Sequence, residues 1–412
     1  MPFFISHIGQ LVLPQPSMTG LPDNPVEVLH NVYLEISDGK IVGIGPEGES
    51  LPSNTSGDVD LFDADGMIAT PGLIDCHTHP VFAGTRQNEF VRRCLGETYQ
   101  QIAASGGGIL SSIRGVRNAS EEELIELLRK RFDRFLALGT TTIEAKSGYG
   151  LTLDDELKSL RAIKKAAADH PLDVSPTLLG AHVVPPEYRD NPDRYVDLVC
   201  DQLIPQAVEE GLADSVDLFL EKGAYNLSQA RRIFQAGRNN GLKLRIHADQ
   251  FTSCGGAELS AEFGAISADH MDQTDDAGLQ ALSDAGVTVV LLPGAVFFLG
   301  LNHYAPARRM IEAGCRIALS TDFNPGSSPT QSLPLMMTLS CIKMHLTPSE
   351  ALWAVTLGGA YALGKADKVG TLLSGYDADI CLWEAEDVDY IPYNYGDMIP
   401  TAVFKKGTLI SQ

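Results

Sequence analysis

The chain has 412 residues, of which 44% are hydrophobic and 20% are charged, enough for one large buried core or for a large and a small one. The 53 acidic side chains outnumber the 31 basic ones and give a net charge of −22, which excludes an extended phosphate-binding surface and predicts no nucleic-acid partner. The seven cysteines are scattered without a CxxC pair, and we see neither a leader nor an apolar run of about 18 to 20 residues, so we expect a cytoplasmic protein without disulfides and without a membrane partner.

Both ends of the chain alternate polar and apolar residues and are punctuated by Gly and Asp, a pattern typical of strands and turns. Before Gly66 the clearest example is VYLEISDGKIVGIG, and after Lys368 it is VGTLLSGYDADICLWEAED. Neither end alone offers enough strands for a stable sheet. We therefore predict that residues 1–66 and 368–412 pair into one small β-sandwich domain.

The segment between the two ends, residues 67–367, repeats a unit of helix, glycine and short apolar strand. One of its helices is indicated by SEEELIELLRKRFDRFLALG, where Ser120 and Glu123 fit a capping box and Gly139 ends the helix. Eight strands are predicted, one around Ile74 and the others starting near Thr140, Val174, Val216, Leu242, Ile266, Val287 and Ile317. Eight such alternations predict a (β/α)8 TIM barrel.

Histidines and an aspartate follow several of these strands. His77 and His79 stand two residues apart after the first strand, so that both imidazoles can reach one cation. The other such residues are His182, His247, His270 and Asp322. Any one of them alone could be an ordinary hydrogen-bonded polar residue, but active sites of barrels lie at the carboxyl ends of the strands. Imidazoles with a carboxylate predict one divalent ion, Zn²⁺ or Fe²⁺.

The motifs PGLIDCHTHP, HADQ, ADHMD and STDFNPGSSP, in this order on a predicted barrel, resemble the amidohydrolase superfamily over essentially the whole chain. The longer strings FAGTR, AASGGGI, IEAKSGYGL and LLGAHVVPPEY resemble the branch that hydrolyses an imidazolone ring carrying a propionate chain. The resemblance implies a homodimer and a single metal ion held by His77, His79, His247 and Asp322. It also implies that Asp322 takes a proton from the attacking water and that His270 hydrogen-bonds the nucleophile or the developing oxyanion.

The substrate implied by this resemblance is a small anionic heterocycle, so an acidic protein needs a local cation to bind it. We assign that role to Arg86 of FAGTR, whose planar fork matches a carboxylate. Of the other expected contacts, Tyr149 would bind the carboxylate or the ring, His182 would donate to the ring carbonyl, and Gln250 would hydrogen-bond the ring. The full set of predicted substrate contacts is Arg86, Tyr99, Tyr149, His182, Gln250, Asn324, Gly326 and Ser327.

Two alternatives use the same scaffold. Deaminases of purines or cytosine typically carry a glutamate three residues after the fifth-strand histidine, whereas this chain has Gln250, which cannot accept and return a proton. A non-catalytic barrel is disfavoured by the complete set of ligand residues. A two-metal site would need a bridging lysine on the fourth strand, but Lys222 is expected at the surface and Lys146 in an ion pair, so we predict one metal.

Overall fold

The computed structural model describes residues 3–48, 60–98, 101–102 and 105–411, which form two eight-stranded sheets. In chain order the strands are β1 (Phe3–Pro14), β2 (Val26–Ser37), β3 (Lys40–Pro46), β4 (Asp60–Asp63), β5 (Ile68–Pro71), β6 (Leu73–Asp75), β7 (Thr140–Lys146), β8 (Asp173–Ala181), β9 (Ser215–Leu220), β10 (Lys243–Ala248), β11 (Ser267–His270), β12 (Thr288–Leu291), β13 (Arg316–Leu319), β14 (Ile380–Trp383), β15 (Ala402–Lys405) and β16 (Thr408–Ser411).

The helices connect and cover these strands. They are Gln87–Cys94, Ile109–Asn118, Glu121–Ala137, Leu153–Ala168, Pro192–Leu198, Ile204–Glu209, Leu227–Asn239, Gly256–Phe263, Asp276–Ala285, Pro293–Phe298, Ala307–Glu312, Leu333–Met344, Pro348–Trp353, Gly359–Leu363 and Tyr390–Tyr393, with π-helical turns at Val199–Leu203 and Ala354–Gly358. Within the described ranges, no helix is both long and apolar enough to cross a bilayer.

Strands β6 to β13 form the predicted barrel, because each pairs in parallel with the next along the chain. Thr78 and Phe323, just beyond β6 and β13, form a parallel bridge that brings the first and last strands together. The buried Asp75 reinforces this closure, since it accepts hydrogen bonds from the backbone N–H (3.0 Å) and the hydroxyl (2.6 Å) of Thr321. All eight predicted strands are confirmed, and their carboxyl ends open on one face.

The predicted pairing of the two chain ends is also confirmed. The second sheet runs β16-β15-β14-β5-β1-β2-β3, with β4 added beside β1, and its own apolar core includes Ile5, Leu34 and Phe404. The predicted boundary needs one correction, because β5 lies in the segment assigned to the barrel. It instead pairs with β1 and β14, while β6, one residue later, turns into the barrel and pairs with β7.

The helix Glu121–Ala137 shows how local sequence fixes these elements. Ser120 accepts a hydrogen bond from the backbone N–H of Glu123, and the Glu123 side chain accepts one from the backbone of Ser120, which is the predicted capping box. Its buried face, with Phe132 and Phe135 fully enclosed, packs into the main core. Gly139, at φ +86°, then leads into β7, as predicted.

Candidate active site

Three histidines meet at the carboxyl end of the barrel. The Nε2 atom of His79 lies 3.3 Å from Nε2 of His77 and 3.3 Å from Nε2 of His247. All three rings are buried, and their ligand atoms lie within 4.8 Å of one another. Asp322 completes the set, with its Oδ1 atom 3.7 Å from Nε2 of His77 and 3.4 Å from Nε2 of His79. The four residues predicted as metal ligands are therefore brought together.

Two buried carboxylates hold the far sides of these imidazoles. Oδ2 of Asp269 lies 2.6 Å from Nδ1 of His77, and Oδ2 of Asp217 lies 3.0 Å from Nδ1 of His247. An ionised carboxylate only accepts hydrogen bonds, so each Nδ1 carries the proton and each Nε2 presents a lone pair. These two lone pairs converge with Nε2 of His79 and Oδ1 of Asp322 on one space. The donor set therefore fits a divalent metal ion.

A buried charge network lies beneath the ligands. Lys146 Nζ is 2.6 Å from Asp217 Oδ2, 2.7 Å from Glu144 Oε2 and 3.7 Å from Asp269 Oδ2. Arg245 Nε lies 2.8 Å from Glu144 Oε1. These two cations and three carboxylates leave a net negative charge under the histidines, which suits a bound cation. Lys146 is thus confirmed in an ion pair, and the sequence did not predict the roles of the three carboxylates.

The network also controls protonation. Burial alone would raise the pKa of Asp217, but the charge of Lys146 and the hydrogen bonds from His247 and Lys146 outweigh it and hold that pKa below its usual range. Burial raises the pKa of Asp269 to about 6 against the opposing effect of Lys146. Both carboxylates are therefore anionic at neutral pH and can accept the Nδ1 protons.

Asp322 and His270, the predicted proton-transfer residues, occupy strained backbone positions. Asp322 has φ +51° and His270 has φ +78°, a region that costs a non-glycine residue about 1 to 3 kcal/mol. The His270 ring centroid lies 5.6 Å from that of His77 and 5.5 Å from that of His247. Burial raises the pKa of Asp322 to about 7. Both side chains lie against the histidine ligands.

The turn after Asp322 is organised by Asn324. Its Oδ1 atom accepts hydrogen bonds from the backbone N–H groups of Gly326 and Ser327, both at 2.8 Å. Its Nδ2 atom donates to the Asp322 carbonyl at 2.6 Å and to the Ser327 hydroxyl at 2.8 Å. The Asn324 amide, predicted to contact substrate, is therefore used within the turn. The Ser327 hydroxyl lies 3.5 Å from Asp322 Oδ2 and faces the site.

Arg86 lies against this turn. Its guanidinium is packed on the α-carbon of Gly326, where any Cβ would come within 2.0 Å of Arg86 Nη1. Its Nε and Nη2 atoms donate to Glu89 Oε2 at 3.0 and 2.7 Å, and Glu89 Oε1 accepts a hydrogen bond from the backbone N–H of Gly108. One edge of the guanidinium is therefore held by Glu89, a partner that the sequence did not predict.

Tyr149 and His182 form one wall beside the histidines. The His182 ring stacks on His79 with centroids 5.3 Å apart, and Tyr149 packs against both rings. His182 Nδ1 lies 3.0 Å from the carbonyl oxygen of Gly148. Burial lowers the pKa of His182 to about 3. A neutral imidazole therefore faces the site next to the ligands.

Gln250 and Lys222 follow strands β10 and β9. Gln250 is half-buried in the turn after His247. The buried Glu221 anchors the rest of this turn by accepting hydrogen bonds from the backbone N–H groups of Phe251 (2.9 Å) and Thr252 (3.3 Å). Lys222 is exposed, as the sequence predicted. Tyr99 lies outside the described residues.

The chain is similar to known proteins along segments that include strands of both sheets. A model described as the amidohydrolase family matches residues 68–410. A protein of Geobacillus kaustophilus (strain HTA426) named imidazolonepropionase is 46% identical over 93% of this chain and 91% of that protein. A protein of Shewanella baltica (strain OS195) with the same name is 45% identical over 94% of this chain and 95% of its own. Among solved structures, E. coli guanine deaminase has a TM-score of 0.74 at 14% identity and covers 100% of this chain and 99% of that one. At 14% identity this likeness concerns the fold alone.

Proposed function

The chain belongs to the amidohydrolase family, and from this premise we propose that it hydrolyses the ring amide of 4-imidazolone-5-propanoate to N-formimidoyl-L-glutamate, the reaction of an imidazolonepropionase. The observation that carries the proposal is the convergence of three histidine Nε2 atoms and Asp322, with Arg86 packed on the same turn. The identity of 45 to 46% to proteins of that name supports the same assignment.

The metal is one divalent ion, Zn²⁺ or Fe²⁺, held by His77, His79, His247 and Asp322. The four ligand atoms, the protonated Nδ1 atoms and the negative network behind them support this choice. When bound, such an ion polarises the ring carbonyl and activates a water molecule at neutral pH. A single ion fits best, because Lys222 is exposed and Lys146 is engaged by carboxylates.

Asp322 and His270 are the proposed catalytic residues. The Asp322 carboxylate takes the proton from the attacking water and returns it to the ring nitrogen as the C–N bond breaks. His270 hydrogen-bonds the attacking oxygen or the oxyanion that develops on the carbonyl. The backbone strain at both residues supports these roles, because strained positions are retained where a side chain must point in one direction.

The propionate carboxylate binds Arg86. Because Glu89 holds the Nε and Nη2 side, the edge that includes Nη1, next to Gly326, is the one offered to the substrate. Tyr149 contacts the carboxylate or the ring, Gln250 the ring, and Ser327 lies beside the proton-transfer carboxylate. Asn324 acts by shaping the turn, and Tyr99 is kept as a substrate contact on the family resemblance.

Deamination of a purine or cytosine ring is the competing activity. It needs a group that protonates a ring nitrogen, which an amide at position 250 cannot do. A spectrophotometric assay with freshly generated imidazolonepropionate, before and after chelation, tests the proposal. We expect turnover that chelation abolishes and that Zn²⁺ or Fe²⁺ restores. Ammonia release from guanine, adenine or cytosine, without loss of the imidazolone absorbance, would favour the deaminase instead.

We also propose an oligomeric state and a cellular location for the enzyme. The resemblance supports a homodimer, which light scattering of the purified protein tests. A cytoplasmic location is supported by the seven cysteines, all of which are free thiols. We propose neither a nucleic-acid nor a membrane partner, on the strength of the acidic composition.

A further inference from the structure

Glu156 is a buried carboxylate outside the metal network. It lies in the first turns of the helix Leu153–Ala168 and is fully enclosed. Its Oε2 atom accepts a hydrogen bond from the backbone N–H of Gly148 at 2.9 Å. Its Oε1 atom accepts from the N–H groups of Gly150 and Leu151, each at 2.8 Å. The Ser147 hydroxyl donates to the same carboxylate. All four donors belong to the loop that carries Tyr149.

The carbonyl groups of this loop are held from the opposite side. Arg117 Nε donates to the Gly150 carbonyl at 2.7 Å, and its Nη2 donates to the Leu151 carbonyl at 3.3 Å. Gly148 has φ +115°, which favours glycine. A Cβ on Gly150 would come within 2.6 Å of the Glu156 backbone nitrogen. The loop is thus clamped in one conformation.

The Gly148 peptide links this clamp to the active site. Its N–H is held by Glu156, and its carbonyl oxygen lies 3.0 Å from Nδ1 of His182. A carbonyl oxygen only accepts hydrogen bonds, so His182 Nδ1 carries the proton. In the Nδ1–H tautomer, Nε2 is a hydrogen-bond acceptor. This tautomer has no proton on Nε2 to donate to the ring carbonyl of the substrate, the role that the family resemblance implies for His182.

We propose that Glu156 is a positioning residue that, through the Gly148 peptide, fixes His182 as the Nδ1–H tautomer, so that His182 Nε2 accepts a hydrogen bond from a ring N–H of the substrate. An imidazolone ring carries such an N–H. The part that concerns the substrate rests on the proposed function. The part that concerns the tautomer rests on the contacts of Glu156, Gly148 and His182 alone.

The tautomer is tested by ¹⁵N NMR of the histidine side chains in the full-length Zn²⁺-loaded protein, with His182→Gln to assign the His182 signals. We expect a protonated Nδ1 and a bare Nε2 in the wild type. In Glu156→Gln, an NH₂ group replaces one of the two carboxylate oxygens that accept the four hydrogen bonds, and this group cannot accept them. We therefore expect the variant to shift or average the His182 signals. Asp154→Asn makes the corresponding change from acid to amide at an exposed position of the same helix, and it is expected to leave the His182 signals unchanged. A wild-type His182 protonated at Nε2, or Glu156→Gln signals identical to wild type, would overturn the proposal.

The substrate contact is tested by inhibition with a ring N-methylated imidazolone propionate. We expect methylation to weaken binding to the wild type by about tenfold or more, the effect of one buried hydrogen bond. We expect little loss in His182→Leu, which has no hydrogen-bond acceptor, and a reduced loss in Glu156→Gln, with the metal content unchanged in both. Equal discrimination by all three proteins would refute the N–H contact. If the wild type fails to hydrolyse the imidazolone at all, the proposed function falls while the NMR result still decides the tautomer.

Discussion

Asp269 and His77 form a hydrogen bond of 2.6 Å between two fully buried side chains. The carboxylate fixes the orientation of the ring and assigns its proton to Nδ1, so that Nε2 is ready for a metal ion. Asp217 does the same for His247 at 3.0 Å. Because Lys146 contacts both carboxylates, two of the three histidine ligands share one support.

Asp269→Asn should therefore weaken metal binding while the four ligands stay in place. The amide can still accept the Nδ1 proton, but it has lost the charge that makes the ring a better donor. We expect the affinity for Zn²⁺ to fall about 10- to 100-fold, as measured by competition with a chromophoric chelator. Asp276→Asn, an exposed acid on the following helix, is the matched control. Unchanged affinity in Asp269→Asn would show that the hydrogen bond does not support the site.

The ligands themselves could be predicted from the sequence, whereas their supports could not. His77 and His79 stand in a recognisable pair, and His247 and Asp322 directly follow apolar strands. Asp269 is 192 positions from His77, and nothing local to either residue indicates the contact. Asp217 lies inside the strand VDLFL, where an acidic residue interrupts the apolar pattern of the strand. A buried acid in a barrel strand was nevertheless a usable signal, because burial of a charge requires a partner.

Most of the fold could also be predicted from the sequence. Strand and helix patterns depend on neighbours within a few residues, so the eight barrel strands and the capping box at Ser120 were predicted correctly. The boundary between the sheets was not, because β5 and β6 are separated by one residue and their separation depends on pairing with β1 and β7. The role of Asn324 was also not predicted, although it is local, because its amide contacts only residues of its own turn, as Asn commonly does.

His247→Ala is expected to remove the metal and the activity together. The remaining histidines and Asp322 leave the site with three ligands, and the Asp217 carboxylate loses the ring that it supports. Metal analysis after extensive dialysis should show loss of stoichiometric Zn or Fe, and imidazolone turnover should fall to background. Added imidazole, which supplies the missing nitrogen, should restore part of both. Stoichiometric metal with normal turnover would remove His247 from the ligand set.

Arg86→Ala is expected to raise KM for imidazolonepropionate by roughly 10- to 100-fold, the effect of a hydrogen-bonded charge pair, with a smaller effect on kcat. Arg86 contacts the carboxylate rather than the reacting amide, which is why binding should suffer more than chemistry. Arg86→Lys keeps the charge but loses the planar fork, so we expect an intermediate KM. Thermal unfolding of both variants serves as the control for folding. A KM equal to that of the wild type would place the carboxylate elsewhere.

Gly326→Ala tests the position of Arg86 without changing its chemistry. The added Cβ would lie 2.0 Å from Nη1 of Arg86, and the end of a long side chain can move aside at little cost to folding. We expect unchanged thermal stability and metal content but a KM raised about tenfold, because the guanidinium is displaced from its productive position. The double variant Arg86→Ala/Gly326→Ala should be no worse than Arg86→Ala. An additive effect would mean that Gly326 acts independently of Arg86.

Gln250→Glu tests which residues move protons. Asp322 and His270 occupy strained backbone positions next to the histidine ligands, whereas Gln250 lies half-buried in the turn after His247. Glutamate has nearly the same shape as glutamine but adds a charge that repels the substrate carboxylate. We therefore expect KM to rise while kcat stays within about threefold, a barrier change below 1 kcal/mol. Gln250→Leu, which removes the polar group, should lower kcat/KM further by loss of the ring contact. Complete inactivation by Gln250→Glu would show that the amide is required for the chemical step. Release of ammonia from cytosine by this variant would show that position 250 alone separates ring opening from deamination.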